Sequence, residues 1–147
     1  GGSLTEEGNS WSAFVRPVKN PQLSDYIIAL TSITQEDVDT KGVLLAAAMT
    51  GFASFIGDLP VFSYGEDALI LKENCELIDT SYPLADTQFA DIRPRIHSAL
   101  GELGIDPAPY TSGTLIQAFG APPGARAHDA VNDMRNLLEV LREIQKR

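Results

Sequence analysis

His128, Asp129 and Asp133 lie close together at the entrance of the clearest helical pattern in the chain, residues 124–147. An imidazole with an ordinary pKa near 6.5 accepts a proton from water at neutral pH. Carboxylates are hard oxygen donors suited to Mg²⁺ or Mn²⁺. The same residue types at a helix start also serve as a cap and a dipole-stabilising charge. Residue type alone leaves both readings open.

The helix sets how these groups are presented. Val131, Met134, Leu138 and Leu141 recur at the three-and-four spacing of one face, with Ala130, Leu137 and Ile144 on its flank. At about 100° per residue, Asp133 falls at the edge of that stripe. A carboxylate there is half-drawn toward the core, where it needs a partner, a proton or a metal. Asp129 lies within about 40° of it on the helical wheel. Their repulsion of a few tenths of a kcal/mol is partly offset by the helix dipole. Asp133 is the better ligand, and Asp129 is its dipole-stabilising neighbour. Pro122-Pro123-Gly124 breaks the chain just before His128.

Upstream, residues 60–64 read as a short buried strand, and Gly65-Glu66-Asp67 turns the chain into a helix over 68–77. An acidic residue at a strand-to-helix junction is where α/β proteins often place chemistry. Capping of that helix by Glu66 or Asp67 is the alternative, and it is compatible with chemistry. Residues 11–18 are aromatic and β-branched and predict a strand ended by Pro17. Ser24 caps a short helix containing Tyr26, Ile27, Ile28 and Leu30. Thr34 and Asp37 resemble a capping pair, while Glu36, Asp37 and Asp39 read as a solvated acidic turn. A helix is expected over 40–57, a strand over 89–92 and a helix over 93–103. Asp91 reads as a helix-start charge, with an edge carboxylate near the site as the alternative, and His97 as solvated. Thr111 or Ser112 would cap a short helix running through Phe119. Strands alternating with helices give an α/β class.

Three stretches together carry a resemblance. His128-x-Ala130-x-x-Asp133, the segment Pro17…Asn20-Pro21-x-Leu23-Ser24…Leu30-Thr31-x-Ile33-Thr34, and Asp67 at its strand end resemble the DnaQ-like (DEDDh) 3′–5′ exonucleases. The resemblance implies a ribonuclease-H-like domain, a mixed five-stranded sheet flanked by helices. It implies that Asp67 and Asp133 are metal ligands for two Mg²⁺ or Mn²⁺ ions, and that His128 is the general base. It also implies that Leu30, Thr31 and Ile33 line the nucleotide pocket; without it they would be loop packing. Ser32 stands where the family usually has Gly. The family's first motif, Asp-x-Glu on an apolar strand, has no match here; Thr5-Glu6-Glu7 is a turn. The expectation is therefore a single exonuclease-like domain over residues 1–147, with its N-terminal strand or strands missing from the chain, because losing a central strand would expose its neighbours' edges.

Composition bounds the partners. At 147 residues the chain is long enough for a real core, and no apolar run approaches the length of a membrane span. A single cysteine, Cys75, excludes an internal disulfide and fits a reducing, cytoplasmic setting. A net charge of −9 argues against tight sequence-independent binding to long duplex DNA. It leaves room for an enzyme gripping a few nucleotides at a single-stranded RNA or DNA 3′ end. The alternative is a catalytically inactive module of the same fold, used for nucleic-acid or protein binding, motivated by the missing Asp-x-Glu.

Overall fold

Ser24 opens the first helix, α1 (Asp25–Thr31), with its side chain accepting from the Ile27 N–H at 3.3 Å. The computed structural model describes residues 9–122 and 130–147. α1 ends at Ser32, which sits in the left-handed region at φ 61° and donates its N–H to Ile28 O. This is the position where glycine would be unstrained, so the Ser-for-Gly departure falls on the one residue of the loop that bears a conformational cost.

The acidic run after it forms a helix start and not a free turn. Thr34 and Asp37 make a reciprocal capping box at the N-terminus of α2 (Gln35–Lys41), and Lys41 pairs with Asp37 at 2.6 Å. Asp39 accepts from Gln35 at 2.9 Å. The helix expected over 40–57 is correspondingly divided. Gly42 leaves α2 in an extended conformation (φ −67°, ψ 133°), Val43 makes a parallel bridge with Val15, and α3 begins only at Leu45 (Leu45–Ile56). That bridge is all the pairing residues 11–18 make among the described residues: Val43 N–H donates to Phe14 O, and Arg16 N–H to Val43 O. The expected strand is extended chain with a single ladder rung.

β1 (Val61–Ser63), α4 (Asp67–Leu77) and β2 (Phe89–Asp91) form a β-α-β unit, with the strands parallel and Val61 opposite Phe89. Their core joins Met49 and Ile56 of α3 to Cys75 and Leu84, with Phe52, Val61, Leu71 and Phe89 packed against it. Trp11 lies on Phe52 at 5.6 Å and Phe52 on Phe89 at 6.4 Å between ring centroids. Gly51 admits the Trp11 ring, since a Cβ there would stand 3.2 Å from it. Cys75 is fully buried, which pushes its thiol pKa up.

Residues 9–92 form one compact unit, and the described residues from Arg93 onward belong to a second. The second contains α5 (Arg93–Glu102), a 3-10 helix over Leu115–Phe119, and α6 (Ala130–Gln145). Ile96, Leu100, Leu115, Leu137 and Val140 are its buried side chains. Neither Thr111 nor Ser112 caps the 3-10 helix: Thr114 holds the N-cap position without a side-chain cap bond. His97 is half-buried.

The class is α/β, helix-rich with a small parallel sheet. Among the described residues only β1 and β2 pair as strands, so the five-stranded mixed sheet is present in part. No helix among the described residues is long and apolar enough to cross a membrane.

Candidate active site

Asp133 lies in the first turn of α6. Leu137 and Val140, four and seven residues further on, are 1% and 0% exposed, whereas Val131 and Met134 are 42% and 45% exposed. The buried line of the helix therefore runs through Asp133 itself, and the apolar stripe read from the sequence is rotated away from the true core face. Asp133 Oδ1 is buried and has no hydrogen-bond partner among the described residues. Its Oδ2 accepts a long hydrogen bond from Ser112 Oγ at 3.5 Å, so only one of the two oxygens has a partner among the described residues. A half-satisfied buried carboxylate is costly unless a cation or proton completes it. That donor suits a hard divalent ion.

Asp67 is the first residue of α4, reached from β1 through Tyr64, Gly65 and Glu66, and is exposed. Glu66 holds the N-cap position and makes no side-chain cap bond, so it does not cap the helix. The junction is shaped by two other side chains. Ser63, only 4% exposed, donates its hydroxyl to Gly65 O at 2.9 Å, and Asp91 Oδ1 accepts the Gly65 N–H at 2.9 Å. Both sides of Gly65 are thus held, at a φ of 130° that favours glycine. Asp91 is a strand residue bracing the turn that delivers Asp67, which corrects its reading as a helix-start charge.

Leu30, Thr31 and Ile33 are half-buried at the end of α1 and the turn beyond it. Thr31 Oγ1 donates to Ile27 O at 2.8 Å and accepts the Ile33 N–H at 3.2 Å. Its hydroxyl is committed to shaping the loop, and its methyl is what it has to offer a ligand.

Asp67 and the 30–33 segment belong to the first unit and Asp133 to the second. His128 and Asp129 lie outside the described residues. Among the described residues no three His, Cys, Asp or Glu side chains gather into a metal-binding group. The sequence reading did not assign Ser63, Ser112 or Asn136 to the site. Asn136 carried a signal: it stands three residues after Asp133 on the same face, a polar residue beside the buried Leu137. Its Nδ2 donates to Gly113 O at 2.7 Å.

The chain matches the family described as exonuclease (RNase_T) over residues 1–141. No curated protein matches it. Among solved structures, a 3′-exonuclease in specific recognition of the 3′ end of a histone mRNA stem-loop superposes with a TM-score of 0.76 at 21% identity, over 97% of this chain and 66% of that one. A full-length 3′-exonuclease superposes at 0.77 and 20% identity, over 96% of this chain and 48% of that one. The nuclease domain of 3′hExo, a DEDDh family member bound to rAMP, superposes at 0.74 and 23% identity, over 96% of this chain and 74% of that one. This chain spans about half to three quarters of their lengths, and at these identities the likeness is one of fold. With the family matched across nearly every residue and the fold shared with DEDDh nucleases, the chain belongs to the exonuclease family as a DnaQ-like member of ribonuclease-H-like fold.

Proposed function

We propose that the protein is a metal-dependent 3′–5′ exonuclease that removes nucleoside monophosphates from the 3′ ends of single-stranded RNA or DNA. One observation carries the reading. In a chain of this family, Asp133, the residue that the resemblance makes a metal ligand, keeps one buried carboxylate oxygen without a partner among the described residues. Exonucleases of this family generally use divalent ions. Two bound Mg²⁺ or Mn²⁺ ions would supply an activated nucleophile from water and neutralise charge on the leaving 3′-oxygen.

The chain's own residues take the remaining roles. Asp133 and Asp67 hold the cations through hard oxygen donors. His128 accepts the proton of the attacking water, a task suited to an ordinary imidazole near neutral pH. Leu30 and Ile33 offer apolar surface to the terminal nucleotide, and Thr31 fixes the loop between them. Relatives that recognise an mRNA 3′ end or bind rAMP support a nucleic-acid 3′ end as substrate. The chain acts within a single exonuclease domain, in a reducing cytoplasm that keeps Cys75 a thiol.

The test uses the full-length protein, Mg²⁺ and a 5′-labelled single-stranded oligonucleotide. The expected result is stepwise shortening with release of nucleoside monophosphates, abolished by Asp133→Asn and by His128→Ala. Absence of shortening, or activity indifferent to Asp133→Asn, would overturn it.

A further inference from the structure

Two side chains on one face of α6 meet the same short turn. Asp133 Oδ2 faces Ser112 Oγ at 3.5 Å, and Asn136 Nδ2 donates to Gly113 O at 2.7 Å. The turn is rigid on its own account. The Thr111 N–H donates to Thr114 Oγ1 at 2.8 Å, the Thr114 N–H to Thr111 O at 3.0 Å, and the Leu115 N–H to Thr111 O at 2.9 Å. Gly113 is buried, and Leu115 is anchored in the core at 0% exposure. Asn136 therefore ties α6 to a braced turn, and Ser112 is the residue of that turn standing against Asp133.

The consequence is an inequivalence of the two carboxylate oxygens. A carboxyl group turns easily about its last side-chain bond, so a lone Asp would present either oxygen. Here one oxygen faces a hydroxyl and the other is buried with no partner among the described residues. We propose that Asn136 and Ser112 are positioning residues for Asp133: they hold its carboxylate so that Oδ1 alone is offered, as a one-oxygen ligand for a hard divalent cation. This rests on the reading of Asp133 as a ligand. Residues that orient a ligand in this way typically change metal affinity by 10–100-fold when removed.

The experiment measures Mn²⁺ binding to the full-length protein by calorimetry and by the EPR signal of free ion, with metal-free thermal unfolding run beside it. Asn136→Ala is expected to weaken Mn²⁺ binding about tenfold or more. Ser112→Ala is expected to weaken it several-fold with an unchanged metal-free melting temperature, and Ser112→Thr, which keeps the hydroxyl, to restore it. Should Asn136→Ala fail to fold, the Ser112→Ala and Ser112→Thr pair decides alone. Wild-type affinity in Ser112→Ala and in a folded Asn136→Ala, with binding lost in Asp133→Asn, would overturn the positioning role and leave the ligand reading standing. Wild-type affinity in Asp133→Asn would overturn both.

Discussion

At the scale of single residues, the feature hardest to reconcile with mere stability is Asp133. A side chain on the buried line of α6, with one oxygen unpartnered among the described residues, is poorly suited to a structural role, because a buried acceptor left unsatisfied costs about 1–3 kcal/mol. Retaining such a group where an apolar or neutral one would be more stable is the pattern of a functional site. Asp133→Asn removes the charge at nearly constant volume. The metal-free variant is expected to be more stable than the wild type by about 1 kcal/mol while losing nuclease activity. Denaturant unfolding in EDTA, compared with the oligonucleotide assay, checks both halves. A variant less stable than the wild type without metal would place Asp133 in the structural framework instead. Asp91 shows the opposite logic: its Oδ1 accepts the Gly65 N–H at the β1–α4 turn, so it is a carboxylate with a structural employer.

Among the secondary-structure elements, α2 is the one whose electrostatics are most sharply defined. The Lys41 ammonium, then the Thr34 hydroxyl and backbone N–H, hold the Asp37 carboxyl down at about 2, against an ordinary 3.8. A depressed carboxylate stabilises the folded state above its unfolded pKa, and loses that contribution as pH falls through the folded value. The stability gap between wild type and Asp37→Asn should therefore be full above pH 4, shrink between about 3.8 and about 2, and close below. Thermal unfolding of the two proteins across that range measures it, and a gap independent of pH would refute the linkage. The capping box behind this effect was legible in the sequence, because Thr34 and Asp37 stand at the spacing such boxes require. So were α1, α4, α5 and both strands, whose patterns are short-range. What was not legible depended on tertiary contact. The break at Gly42–Leu44 follows from Val43 pairing with Val15, which lies 28 residues earlier in the chain. The rotation of the α6 face follows from packing that buries Leu137 and Val140 and leaves Met134 out. Of the candidate site, Asp133, Asp67 and His128 could be singled out from type and spacing, their roles being what the resemblance implies. Ser112 could not, and Asn136 only as a polar residue on the face of Asp133, because the Ser112–Asp133 and Asn136–Gly113 contacts each span more than 20 residues of chain.

For the molecule as a whole, charge limits the ways in which it can hold a nucleic acid. With 11 Lys and Arg against 20 Asp and Glu, the chain has little with which to neutralise a run of phosphates. The counterions released on binding set the salt dependence, at about 0.7 per phosphate contacted on a single strand. A protein that grips a strand end through one or two phosphates should show a slope of log affinity on log salt no steeper than about −1.4. Raising KCl fourfold would then weaken binding only about sevenfold, where a backbone-tracking protein would lose about a thousandfold or more. The divalent ion should matter far more than the monovalent one, since bringing a phosphate beside uncompensated carboxylates is unfavourable until a cation stands between them. Fluorescence anisotropy with a short labelled oligonucleotide and the inactive His128→Ala protein measures both dependences, KCl being varied with Mn²⁺ present and absent. A shallow KCl slope together with a large gain from Mn²⁺ is the expected outcome. A steep slope with no gain from the metal would mean that the nucleic acid is held on a basic surface away from the carboxylates, and that the strand-end reading is wrong.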